Sequence, residues 1–137
     1  MEVDEITEKI IGCAYQVSNT LGCGFVEKVY ENALCHQSAK SGLEIVQQYP
    51  IKVFYDGMLV GEFCADLLAE RQVLVELKAV RVLEDVHIAQ AMNYLRASGL
   101  PVCLLIYFGR PKLEIRRLVP YDVWKQRPGR TQPQRLR

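Results

Sequence analysis

Apolar and polar positions alternate along this chain with two different periods, and the changes of period predict its elements. Ile6, Ile10, Ala14, Val17 and Leu21 recur at helical spacing, so an amphipathic helix is expected over residues 3–20. LGCG breaks it. A second helix is expected from Val26 to about Lys40, with Gly42 as its stop. The period then shortens. LEIVQQY and IKVFY predict two strands, and Asp56–Gly57 marks a hairpin turn after them. Residues 59–69 and 72–80 predict two more strands, joined near Glu70–Arg71. A third helix is expected from about Val86 to Ala97, with Ile88, Met92 and Leu95 as its apolar stripe and Gly99–Leu100–Pro101 as its end. VCLLIYF is a continuous apolar run, suited to a central strand covered on both faces, and LEIRRLV alternates as an edge strand. Hairpins followed by a helix and a return strand imply a mixed sheet with helices packed on it.

One strand departs from the pattern of its kind. In VLVELKAV, residues 73–80, Val73, Val75, Leu77 and Ala79 share one face, and Leu74, Glu76, Lys78 and Val80 share the other. A carboxylate and an ammonium thus point the same way from a strand that is otherwise apolar. Burying charge is costly unless it is paired or bound to a metal. Either the two form a structural ion pair, or the sheet presents them to something. Upstream, Asp66 stands within the apolar stretch of GEFCADLLAE. If residues 59–69 pair antiparallel with 72–80, Asp66 falls near Glu76. Two like charges ~4 Å apart at an effective dielectric of ~20 repel by about 4 kcal/mol. A lysine offsets part of that, and a hard divalent cation offsets it better. The plainer alternative is an Asp66 that caps a turn and a Glu76–Lys78 pair at a sheet edge.

Composition narrows the setting. The 137 residues suffice for one domain with a core. The longest purely apolar run, Val102 to Phe108, is too short to cross a bilayer. MEVDEITEKI has no basic start or apolar stretch of a signal peptide, so a cytoplasmic protein with no membrane partner is expected. Five scattered cysteines, never in CxxC, read as free thiols rather than a zinc or iron–sulfur site. The net charge of +1 hides an asymmetry, because all sixteen acids lie at or before Asp122. A domain over residues 1–124 and a basic tail over 125–137, expected to be disordered, follow from it. That tail either attracts phosphates or is a solvated end.

Asp66, Glu76 and Lys78 stand at the spacing D-x9-E-x-K, which resembles the signature of the PD-(D/E)xK nuclease superfamily. GFVEKVY, residues 24–30, matches Gly24, Glu27 and Tyr30 of the motif that names the GxxExxY family. HIAQAMNYL supplies Gln90 and Tyr94, which look like the QxxxY motif of RecB-type nuclease domains. The pieces fall in order over roughly residues 5–120, with Ala65 where the superfamily's name has proline. The resemblance implies an α+β chain with a restriction-endonuclease-like three-layer α/β/α core and a mixed sheet. It implies a Mg²⁺- or Mn²⁺-dependent phosphodiesterase acting on nucleic acid, DNA ahead of RNA. Asp66 and Glu76 would hold the metal, Glu27 would complete its shell directly or through water, and the backbone carbonyl of Leu77 would join them. Lys78 would orient the attacking water or stabilise phosphate charge, and Gln90 would serve with it. Tyr94, Tyr30 and His87 are expected on the substrate side. Helical spacing agrees, since Glu27, Tyr30 and Leu34, and likewise His87, Gln90 and Tyr94, fall at i, i+3 and i+7. The acidic body and the short chain leave room for a homodimer or a partner protein. A second reading is a catalytically silent module of the same fold that binds nucleic acid or protein. A third is a hydrolase of soluble phosphoesters.

Overall fold

The helical stripes at the start of the chain fold where their periodicity puts them. The structure, a computed structural model, describes residues 1–120, and the basic tail lies outside the described residues. Helix α1 (Val3–Leu21) buries Ile6, Ile10, Ala14 and Val17. Helix α2 (Glu27–Lys40) buries Tyr30, Glu31, Leu34 and Ser38, so its inner face mixes apolar and polar groups.

Five strands follow, one fewer than expected. LEIVQQY and IKVFY are a single strand, β1 (Ile45–Tyr55), with Pro50 inside it. Proline reads as a strand break because it donates no hydrogen bond, but β1 is the edge of the sheet, where that loss is tolerated. Strand β2 (Met58–Ala69) returns after a turn at Asp56 and Gly57, both at positive φ, as the Asp–Gly pair predicts. Strand β3 (Val73–Lys78) follows a second tight turn, where Glu70 and Arg71 take positive φ without a glycine.

Helix α3 (Asp85–Ser98) carries the chain to β4 (Val102–Tyr107), and β5 (Glu114–Leu118) closes the sheet. The strands lie in chain order. β3 and β4 are parallel, and the other pairs are antiparallel. The sheet is mixed, as expected. Val73, Val75 and Leu77 face α1 and α2, whereas Leu74, Cys103 and Leu105 face α3. Helices on both faces give the expected three layers, with β4 buried on both sides.

Two irregularities set up the rest of the molecule. First, β1 and β2 lose their alternation at the same rung. Ile45 and Leu67 pack toward α1 and α2, but Tyr49 and Ala65 pack toward α3, although each is an even number of residues from its strand mate. The pairing skips Gln48 and Asp66, which lie between Gln47–Leu67 and Tyr49–Ala65, and Gln48 has φ +57. A left-handed backbone costs a non-glycine residue about 1 kcal/mol or more, so such strain persists only where its surroundings hold it. Second, the chain leaving β4 crosses the end of β3. Phe108 N–H donates to the Lys78 carbonyl at 2.8 Å. A Cβ on Gly109 would lie 1.6 Å from the Val80 carbonyl oxygen, so only glycine allows this crossing. Gly109→Ala is expected to destabilise the fold by roughly 2–4 kcal/mol in urea unfolding. An unchanged midpoint and slope would contradict so tight a crossing.

Candidate active site

The site begins where β2 parts from β3. The two strands pair regularly from Ala69–Val73 to Leu67–Val75. One residue further on, side chains take over the ladder. Asp66 N–H donates to Glu76 Oε1 at 2.9 Å, and Leu77 N–H donates to Asp66 Oδ2 at 2.8 Å. Each carboxylate therefore caps the opposite strand's backbone, and each is pinned by the other strand. The break in alternation at Asp66 is what turns its side chain onto β3. Glu76, 5% exposed, points to the α3 side of the sheet as its place in VLVELKAV predicts.

Lys78 shares that face, but it does not pair with Glu76. Its Nζ donates to Gln90 Oε1 at 3.4 Å, and Gln90 Nε2 donates to Tyr94 Oη at 3.2 Å. Spacing of i+4 on α3 makes this relay possible. From the opposite layer, Glu27 opens α2 and accepts from Ala79 N–H at 3.3 Å, which sets it at the end of β3. So Asp66, Glu76, Lys78, Glu27, Gln90 and Tyr94 converge on the parting of β2 and β3.

Of the expected substrate contacts, Tyr30 is out of reach and His87 also serves the start of α3. Tyr30 is fully buried. Its hydroxyl donates to the Gly22 carbonyl at 2.6 Å and accepts from Phe25 N–H at 3.2 Å, and its ring stacks on Phe108 at 4.7 Å. It pins the α1–α2 connection, where Gly24 supplies φ +112, and so fixes the start of α2 and Glu27. A substrate cannot reach it. His87 accepts from Glu84 N–H through Nδ1 at 3.3 Å, satisfying the start of α3, and its ring meets Tyr107 edge-on. At Leu77 it is the N–H that meets the site.

Sequence reasoning missed Glu31. It lies one turn after Glu27, is 3% exposed, and receives Lys28, Gln47 and Gln48, the last at 2.9 Å from the strained position of β1. Burial acts to raise its carboxyl, yet Gln48, Gln47 and Lys28 together hold it below the usual range. It is a buried charge that helps raise the neighbouring Asp66. The i, i+4 pair Glu27–Glu31 was the available signal.

The electrostatics of the pair are those of a site short of positive charge. Burial, then the charge of Asp66, pushes the Glu76 carboxyl up to about 8. Burial pushes Asp66 up to about 6, against the pull of the Leu77 N–H. Near neutrality the two share one proton. Tyr94 is raised by burial and by the charge of Glu76. Among the described residues no three His, Cys, Asp or Glu side chains form a ready metal cage. The donor set nevertheless suits a hard cation. Asp66 and Glu76 each give one carboxylate oxygen, Oδ2 and Oε1, to the opposite strand's backbone, which leaves Asp66 Oδ1 and Glu76 Oε2 for a ligand. Two oxygen donors with surplus negative charge are what Mg²⁺ and Mn²⁺ prefer.

The sequence model of the PD-(D/E)XK nuclease superfamily matches residues 4–118. No curated protein matches. Among solved structures, the crystal structure of SSO0001 is 12% identical with a TM-score of 0.46, covering 91% of this chain and 81% of the other. An alkaline exonuclease, LHK-Exo from Laribacter hongkongensis, is 12% identical with a TM-score of 0.46, covering 87% of this chain and 84% of the other. Among the described residues no helix is long and apolar enough to cross a membrane.

The raised carboxyls fix a sign for the pH dependence. The folded chain prefers both groups protonated. The stability this adds is present at acid pH and lost as the pH climbs through about 6 and then about 8. Glu76→Gln keeps the acceptor and the shape but removes the charge. It is expected to keep the loss near 6, which belongs to Asp66, but to hold its melting temperature as the pH climbs on through about 8, where the metal-free wild type loses several degrees more. Parallel decline of the two proteins through about 8 would contradict the buried, charge-strained pair.

Proposed function

This chain belongs to the PD-(D/E)XK nuclease superfamily, and from that premise we propose that it is a divalent-metal-dependent nuclease cleaving phosphodiester bonds, with DNA ahead of RNA as substrate. We place it in the GxxExxY branch on Gly24, Glu27 and Tyr30. The observation that carries the reading is the pair of cross-strand carboxylates, both raised, beside the relay from Lys78 through Gln90 to Tyr94.

Asp66 and Glu76 would hold Mg²⁺ or Mn²⁺ through their remaining oxygens, with Glu27 as an outer ligand and the Leu77 carbonyl beside them. When bound, such an ion polarises the phosphate and makes water a better nucleophile near neutral pH. The remaining work falls to side chains. Lys78 carries the positive charge that meets charge developing on the scissile phosphate, and it orients the attacking water. Gln90 fixes the ammonium by accepting its hydrogen bond. Tyr94 fixes Gln90 and stands at the boundary between the relay and the substrate. The reciprocal backbone bonds hold the carboxylates rigid, so little reorganisation is left for the reaction.

Lys78→Ala is expected to lower metal-dependent cleavage of single-stranded or duplex DNA by ~10²-fold or more, with an unchanged melting curve. Cleavage at the wild-type rate would remove Lys78 from the mechanism. A wild type that binds DNA but cleaves neither form with Mg²⁺ or Mn²⁺ would leave a silent nucleic-acid-binding module of the same fold.

A further inference from the structure

A cavity opens beside the relay rather than over it. It is a groove of about 640 Å³ between α3 and the β1–β2 hairpin, bounded by Val53, Phe63, Gln90, Asn93, Tyr94 and Arg96. It follows α3 from Val86 to Ala97, about 16 Å of helix. Its inner wall is Gln90 and Tyr94, the residues already bonded in sequence to Lys78.

Phe63 gives the groove its character. It is 44% exposed, although large aromatic rings are usually covered. Its ring lies 5.2 Å from that of Tyr94 at 34°. Gly61, two residues earlier on the same strand, lies beside it, and a Cβ there would meet the ring at an ordinary contact distance of 3.4 Å. The ring is thus held by its neighbours and still open to solvent. Around it stand groups able to meet a polar edge. Asn93 accepts from Arg96 through its carbonyl and keeps its amide NH₂ for another acceptor. Among the described residues Arg96 is the one cation lining the groove. A flat apolar platform with a polar edge and sparse positive charge suits a nucleobase better than a phosphate chain.

We propose that this groove is a nucleobase subsite, in which a base next to the scissile phosphate stacks on Phe63 beside Tyr94. The proposal rests on the nuclease reading for its occupant. Continuity through Gln90 and Tyr94 puts the base within a nucleotide's reach of Lys78. In a duplex the faces of the bases are already stacked, so the subsite takes a single strand or a frayed end. The strand is gripped through its bases more than its charge, which also fits a body that is acidic outside the basic tail.

The test separates this proposal from the chemistry. Binding of fluorescein-labelled single-stranded oligodeoxynucleotide is followed by anisotropy in chelator, where cleavage is not required. The same strand carrying abasic residues keeps every phosphate and loses the platform's partner. Wild type is expected to prefer the intact strand by about tenfold, and to prefer it over its duplex. Phe63→Ala is expected to abolish the preference while binding the abasic strand as wild type does. Phe63→Leu, which keeps apolar bulk, is expected to do the same and guards against a folding defect. Equal wild-type affinity for intact and abasic strands would overturn the subsite even if the protein cleaves DNA. A Phe63-dependent preference in a protein that cleaves nothing would uphold the subsite and sink the nuclease reading. Dissociation of a dimer by Phe63→Ala in sedimentation, with DNA binding unchanged, would instead assign the groove to a second copy of the chain and overturn the proposal.

Discussion

Where β2 leaves β3, two carboxylates take the place of the strand ladder, and the remaining features of the site are arranged around that exchange. A strand that parts from its neighbour strands N–H groups, and buried N–H groups need partners. Asp66 and Glu76 supply them, each from the opposite strand. The same bonds force two acids together within a buried setting. The fold thereby gains a closed fork and acquires a concentration of negative charge that water cannot relieve. The strained Gln48 belongs to this arrangement, since the pairing of β1 and β2 skips it together with Asp66 and its side chain reaches Glu31.

That charge explains the surroundings. Glu31 adds a third buried carboxylate, held ionised by two glutamines and Lys28. Glu27 brings a fourth to the end of β3, anchored by a helix start that Tyr30 fixes from the core. Against these stands Lys78, held by Gln90 rather than neutralising Glu76. Two ammoniums, Lys28 and Lys78, among four acids leave a net deficit. Burial first, and the neighbouring carboxylates after it, raise both Glu76 and Asp66 in the metal-free protein. A divalent cation would meet the deficit with its charge and with the ligand chemistry that carboxylates favour.

Much of this was legible in the sequence. Helical periods, alternation and one continuous apolar run located the elements, apart from the split in β1, because a half-buried element shows its period and β4, buried on both faces, shows none. The one split that did not hold, LEIVQQY from IKVFY, falls at Pro50, which an edge strand tolerates. The acids and the lysine stood out because they interrupt apolar strands. Roles were harder to read than positions. Tyr30 shares a helix face with Glu27, and a face does not say whether it meets solvent or core. His87 sits on the relay's stripe, yet the helix start uses it first. Glu31 and Gln48 escaped because their meaning depends on a slip in two strands at once, and local pattern carries no trace of such a slip. The groove beside Phe63 is likewise a product of tertiary packing between α3 and a hairpin.

The central claim is that the cross-strand pair is a metal site. It is tested most directly by calorimetric titration of Mn²⁺ into the wild type and into the Asp66→Asn/Glu76→Gln double variant, near neutral pH in two buffers of different protonation enthalpy. The account predicts specific binding by the wild type with release of about one proton, and loss of both in the variant. Absence of specific binding in the wild type, or binding retained by the variant, would contradict it and return the two carboxylates to a purely structural fork.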